Sequence, residues 1–277
     1  MKSKIKLLDG KYYDRVELLE RMEDDSFYYG ELNKLALSSS SLKQLLSSPK
    51  TYKFSLEYGS GESQALRDGW LFHTAILEPE VFAAQTFIDV QSKNTKKVKE
   101  AKAENPRVFT AKERSDADRL VDAFYRNEHA KELITKAEFE IPAIDNVLGF
   151  AFRGKADVLA TNRIVDLKTT TNIKDFSWSA NKYGYDVQCY LYCNLFNKEY
   201  KDFYFLVLDK GSLDIGIFNC SEEFYYRGEE KVEKALDLYN KFFIEGADLD
   251  NYCLTGELWR NNIYTQHSPL YGGIVNV

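Results

Sequence analysis

Hydrophobic and polar positions follow two periods along this chain, and the change from one to the other divides it. Between residues 37 and 134 leucines and aromatic residues recur at helical spacing. Ser38-Ser39-Ser40-Ser41 precedes Leu42, Leu45 and Leu46, a serine cap followed by leucines on one face, and Ser48-Pro49 stops the run. Leu66, Trp70, His73 and Leu77 stand at i, i+4, i+7 and i+11 and predict a helix over 62–77, ended by Glu78-Pro79. The lysine-rich stretch 91–106 has little pattern and reads as a mobile loop. Leu120, Val121, Phe124 and Leu133 predict one long amphipathic helix over 110–134. The period then shortens. Segments 139–141, 149–152, 156–160 and 163–168 predict successive strands, with Thr161-Asn162-Arg163 as a hairpin turn. A helix over 178–196, strands at 203–208 and 215–219, and a charged helix over 222–244 follow. This order predicts one mixed α/β domain over 37–245, a central mixed β-sheet flanked by helices. Residues 1–36, charged and tyrosine-rich, read as an N-terminal extension packed on the body, and 246–277 as a C-terminal tail.

Composition narrows the function classes. The chain has 277 residues, 44% hydrophobic, enough for a substantial core. No apolar run approaches the roughly 20 residues of a membrane helix. Met1-Lys2-Ser3-Lys4-Ile5-Lys6 lacks the apolar stretch of a signal peptide. Cys189, Cys193, Cys220 and Cys253 form no CxxC and no zinc-type pairing with histidine, so they read as free thiols of a cytoplasmic, reduced protein with no membrane association. The net charge of −6 counts against a broad phosphate-binding surface. It leaves room for a local basic channel, for which the runs 93–99 and 107–119 are candidates, although such runs are commonly solvated faces.

The candidate chemistry lies in the short strands. Gly154-Lys155-Ala156-Asp157 and Asp166-Leu167-Lys168 place two acids and a lysine on neighbouring strands of one hairpin. Two strand-borne carboxylates can hold a hard divalent cation, and a nearby lysine can reach the same volume, the minimum for metal-assisted phosphodiester hydrolysis. Asp166 and Lys168, two apart, share a face, while Leu167 points into the apolar layer and leaves its carbonyl as a neutral ligand. An exposed hairpin with ordinary surface charges has the same residues. Gln188 and Tyr192, four apart on a helix, can hydrogen-bond a phosphate or orient the lysine, or belong to an aromatic stripe docked on the sheet. His73 reads equally as a core histidine or a ligand, and Glu140 as a further ligand or a surface acid.

The serine-rich helix start, the segment Gly69-Trp70-Leu71-Phe72-His73 with Leu77-Glu78-Pro79, the two acidic segments, Thr169-Thr170, and 184–192 occur in one order. In that order the chain resembles the PD-(D/E)XK nuclease superfamily, and within it the exodeoxyribonuclease VIII-like phage and prophage recombination exonucleases, related to the RecB nuclease domain and lambda exonuclease. The resemblance spans residues 37–245 and implies a restriction-endonuclease-like core. It implies that His73, Asp157, Asp166 and the Leu167 carbonyl are metal ligands and that Lys168, with the two acids, is catalytic. It also implies that Gln188 and Tyr192 lie near DNA, and Ser40 near the 5′-phosphate of a DNA end. Glu140 is a possible accessory ligand. Two departures stand out: Ala156 replaces the usual proline, and Asp166 the commoner glutamate. Ser48 stands where iron–sulfur relatives carry cysteine, so no cluster is expected.

What the resemblance implies of function is a Mg²⁺-dependent exonuclease, with Mn²⁺ able to substitute. It would enter at double-stranded DNA ends, degrade one strand 5′→3′ and leave 3′ overhangs. A single-strand annealing protein would be its partner, and a homo-oligomeric ring its assembly. A structure-specific or single-strand endonuclease, and a non-catalytic DNA-end-binding protein on the same fold, are the alternatives.

Overall fold

A computed structural model of the protein describes residues 4–254 apart from 60, 62, 91 and 106. The chain begins with an antiparallel pair, β1 (Lys4–Lys6) and β2 (Tyr12–Asp14). Asp14 then caps α1 (Arg15–Arg21) by accepting from the Val16 and Glu17 N–H groups. Ile5, Leu18, Met22 and Leu32 bury against Ile144 and Ala151, so this segment packs on the body of the protein.

Ser38 caps α2 (Ser39–Ser47), and Ser48 both ends it and caps α3 (Pro49–Tyr58), whose first residue is the proline that read as a stop. Ser63 caps α4 (Gln64–Leu77), and α5 (Pro79–Ala83) follows. Most of the stretch expected as a loop is instead helical. Between β3 (Thr86–Ile88) and its parallel partner β4 (Val108–Thr110) runs α6 (Lys96–Glu104), capped by Thr95. Val98 is its one buried residue and packs with Ile88 and Val108, and a single anchor leaves no periodicity to read. The long helix expected over 110–134 is two, α7 (Ala111–Arg126) and α8 (Glu128–Ile134). Asn127 breaks the run and caps the second.

Five strands make the central sheet: β5 (Glu138–Val147), β6 (Phe150–Ala160), β7 (Arg163–Thr170), β8 (Phe203–Asp209) and β9 (Ile215–Asn219), in that spatial order. Neighbours are antiparallel except β7 and β8. That parallel pair needs a crossover, supplied by α9 (Phe176–Lys182) and α10 (Tyr185–Phe196). Two expectations are corrected here. Segments 149–152 and 156–160 are one strand, and the helix expected over 178–196 is broken at Gly184, whose φ of +62° no helix accommodates. The last helix, α11 (Glu222–Tyr239), packs on α10.

The sheet is covered on both faces. Ile164, Phe203, Phe205 and Val207 point to α2, α10 and α11, while Val165, Leu167, Leu206 and Leu208 point to α4 and α7. Strands buried on both sides read as near-continuous apolar runs, as β8 does. Among the described residues no helix is long and apolar enough to cross a membrane. The tail beyond residue 254 lies outside the described residues.

Candidate active site

A cleft of about 1320 Å³ opens at the sheet, lined by residues of β5, β6, β7, α2, α4 and α10. Its floor is made where β6 and β7 part. Their ladder ends at Val158 and Val165, and the next residue of β6, Asp157, instead accepts the Leu167 N–H through its carboxylate at 2.7 Å. Both β5 and β6 change faces at this point. Ala143 and Ala156 lie in the core on the α10 side, whereas Phe139 and Val158, an even number of residues away, pack on the other. Glu140, opposite Asp157 in the register, takes up the twist with a left-handed φ of +53°. A non-glycine residue there is strained, and the strain turns the Glu140 carboxyl toward Asp157.

His73 reaches this point from α4. One ring nitrogen, Nε2, donates to the Leu167 carbonyl at 2.6 Å, and Nδ1 lies 3.3 Å from Asp157 Oδ2. His73, Glu140 and Asp157 each offer a ligand atom within 4.8 Å of the others. Glu140, marginal in the sequence, is thus as central as His73 and Asp157. Asp166 is buried beside them, and Gln188 donates its amide N–H to Oδ1. The other oxygen, Oδ2, faces the Lys168 ammonium as an ion pair but has no hydrogen bond among the described residues. An imidazole, carboxylates and a carbonyl converging here fit a hard divalent cation such as Mg²⁺ or Mn²⁺.

The remaining expected residues divide into two kinds. The Tyr192 hydroxyl donates to the Lys155 carbonyl at 3.0 Å, so this residue braces the strand that carries Asp157. Gly154 lets the ring come close, since a Cβ there would meet Tyr192 and Leu195 at 3.0 Å and push on both. Ser40 stands exposed in the first turn of α2 and lines the cleft. Lys43, one turn on, was not legible as a site residue. It lines the same cleft, and its ammonium lies 5.3 Å from the Tyr185 ring, which Lys168 approaches at 5.1 Å. Its spacing of three from Ser40 was the available signal.

Most basic residues of the two runs that were candidates for a local channel are matched with neighbouring groups instead. Lys96 pairs with Glu100, Lys112 with Asp116 and Arg114 with Asp118, Lys93 donates to Gln64, and Arg119 to the Lys210 carbonyl. Of the basic residues of the two runs, only Arg107 lines the cleft among the described residues.

Burial and crowding set the protonation states. Burial pushes the Asp157 carboxyl up, with Asp166 adding to it and His73 opposing. Burial, then Asp157, pushes Glu140 up to about 8. Burial alone would lower Lys168, but Asp166 and Asp157 outweigh it and hold the ammonium above its ordinary value. Burial and then Lys168 bring Lys43 down to about 8.

Glu140 makes stability depend on pH. Between its ordinary value of 4.5 and about 8 the folded chain holds a proton that the unfolded chain has lost. Stability therefore falls as pH rises through that window and levels off above it. Thermal melts in EDTA should show this decline, and Glu140→Gln should flatten it. An unchanged slope in the variant would remove Glu140 from the cluster.

Comparison with known proteins follows this geometry. Residues 38–261 match a family described as a PDDEXK-like domain of unknown function (DUF3799). Among solved structures, a protein from Eubacterium rectale named "Putative exonuclease" is similar at 17% identity and a TM-score of 0.58, over 85% of this chain and 95% of that one. A phage-related exonuclease from Haemophilus somnus 129PT aligns at 18% identity with a TM-score of 0.35, over 78% of this chain and 99% of that one. No curated protein matches.

Proposed function

We propose, from the premise that the chain belongs to the PDDEXK-like family matched over residues 38–261, that it is a metal-dependent exodeoxyribonuclease acting at the ends of double-stranded DNA. The observation that carries this reading is the convergence of His73, Asp157, the Leu167 carbonyl and the Asp166–Lys168 pair in one cleft. The names of the structural neighbours agree with it.

His73, Asp157, Asp166 and the Leu167 carbonyl would hold Mg²⁺ or Mn²⁺, with Glu140 as a further ligand. A divalent cation there supplies positive charge to the scissile phosphate and lowers the pKa of water. The chain's own residues do the rest. Lys168, whose ammonium faces Asp166, would stabilise negative charge developing on the phosphate. Gln188 fixes the Asp166 carboxylate. Tyr192 holds the strand carrying Asp157 through Lys155. Ser40, exposed at the start of α2, is the candidate contact for a terminal 5′-phosphate. Hydrolysis proceeds 5′→3′ and leaves a 3′ overhang for an annealing partner. A ring of subunits would help a chain of net charge −6 retain a polyanion.

The test is digestion of linear duplex DNA labelled separately at its 5′ and 3′ ends, in Mg²⁺ and in EDTA, beside a closed circle. Early, cation-dependent release of the 5′ label with an intact circle is expected. A cut circle would move the activity to an endonuclease. No cleavage in Mg²⁺ or Mn²⁺ would leave a DNA-end-binding protein.

A further inference from the structure

One stack of side chains runs from the core to the mouth of the cleft. Its buried end is an ion pair: Glu113 accepts from Arg67 Nε at 2.8 Å, and Arg67 also donates to the Val108 carbonyl at 2.7 Å. Thr110 holds Glu113 in a capping box through its backbone N–H and its side chain, so the pair is fixed at the start of α7. The Arg67 guanidinium lies 4.4 Å from the Phe109 ring centroid. Phe109 stacks on Trp70 with centroids 5.5 Å apart and planes 2° from parallel. Arg107 completes the stack, its guanidinium 4.5 Å from the Trp70 centroid.

The outer member differs from the inner one. Arg67 is buried and neutralised by Glu113, whereas Arg107 is exposed and pairs with no carboxylate among the described residues. Several of its neighbours in the basic runs are matched, Lys96, Lys112 and Arg114 with acids and Arg119 with a carbonyl, whereas Arg107 lies over the Trp70 ring at the cleft. A guanidinium held over an indole ring loses rotamer freedom, and Arg107 lines the cleft from that position. Trp70 and His73 are three residues apart on α4 and line the same cleft. That spacing is roughly 4.5 Å along the helix, and phosphates of one strand advance by about 3.4 Å per nucleotide.

We infer that Arg107 is a phosphate-binding residue for the DNA strand that enters the metal site. It contacts a phosphate within about two nucleotides of the one at His73, with Trp70 as its platform. This rests on the nuclease reading and adds to it a positioning residue outside the metal cluster. The commitment to a strand follows from charge and place. The ligand must be anionic, it must continue from the scissile phosphate, and a planar fork over an aromatic ring suits both a phosphate and an adjoining base.

The test separates this inference from the reading beneath it by measuring binding without cleavage. Anisotropy of a labelled single-stranded oligonucleotide in EDTA, over a range of salt, reads affinity and the slope of log K against log salt. Arg107→Gln is expected to weaken binding about tenfold, the effect of one charge-assisted contact. It should also reduce the slope by about 0.7, the loss of one phosphate contact to a single strand. Arg107→Lys should keep the slope and lose affinity, because charge remains while the stacked fork does not. Lys97→Gln, exposed on α6 and away from the cleft, should match wild type. Wild-type affinity and slope in Arg107→Gln, or an equal loss in Lys97→Gln, would overturn the inference and leave the nuclease reading standing. A wild-type protein that binds no DNA while folded would overturn both.

Discussion

Asp166→Asn is expected to lower kcat/KM on linear duplex DNA in saturating Mg²⁺ by a factor of about 10³, the scale of losing a preorganised electrostatic group. Asp166 is buried to 1% exposure, held by Gln188 on one oxygen and faced by Lys168 on the other. Asparagine has nearly the same shape and keeps a carbonyl oxygen for the Gln188 amide, so packing is preserved. What is lost is the charge that would bind the cation and orient Lys168. The variant should therefore melt within a few degrees of wild type while being inactive, and the two measurements together distinguish a catalytic loss from unfolding. Activity within threefold of wild type would remove Asp166 from the site and redirect attention to His73, Glu140 and Asp157, which cluster without it.

The sequence held the site's acids and lysine because strand periodicity is short-range. Two residues on one strand face, or four on one helix face, are placed by local geometry alone, and Asp166, Lys168, Gln188 and Tyr192 are of this kind. His73 could be placed on α4 but not beside Leu167, a contact spanning 94 residues, except through the family resemblance. Glu140 shows what local reading cannot reach. Its importance comes from a left-handed backbone at the position where two strands change faces, and no side-chain pattern records a positive φ. Lys43 and Arg107 were obscured for the opposite reason. Each lies among other polar residues, and only the fold separates cations facing the cleft from those neutralised beside them. Breaks at Asn127 and Gly184 were missed because apolar spacing continues across both, although a cap residue and a glycine mark them.

Asp186→Ala is expected to cost about 3–5 kcal/mol of stability, the largest structural effect among single changes near the site. Asp186 is fully buried and pairs with Arg227 Nε at 2.7 Å and Lys231 Nζ at 2.6 Å, both on α11. The helices meet so closely there that a Cβ on Gly228 would come within 2.2 Å of the Asp186 carbonyl oxygen. Neither backbone can shift to solvate the cations, and truncating Asp186 removes the carboxylate that both of them face. Arg227, 35% exposed, can turn partly to water, which favours the lower end of the range. Asp186 stands two residues before Gln188, so movement of α10 should also loosen the hold on Asp166 and lower activity in the fraction that remains folded. Denaturant titration gives the stability, and cleavage assayed well below the midpoint gives the second effect. Replacing all three charges, Asp186→Leu with Arg227→Met and Lys231→Met, should recover much of the stability, because it removes both cations along with the acid. Recovery of stability with activity still depressed would show that the ion pairs set the angle of α10 as well as holding it in place. Failure of the triple variant to recover would mean that the loss arises from packing at the Gly228 crossing instead of from uncompensated charge.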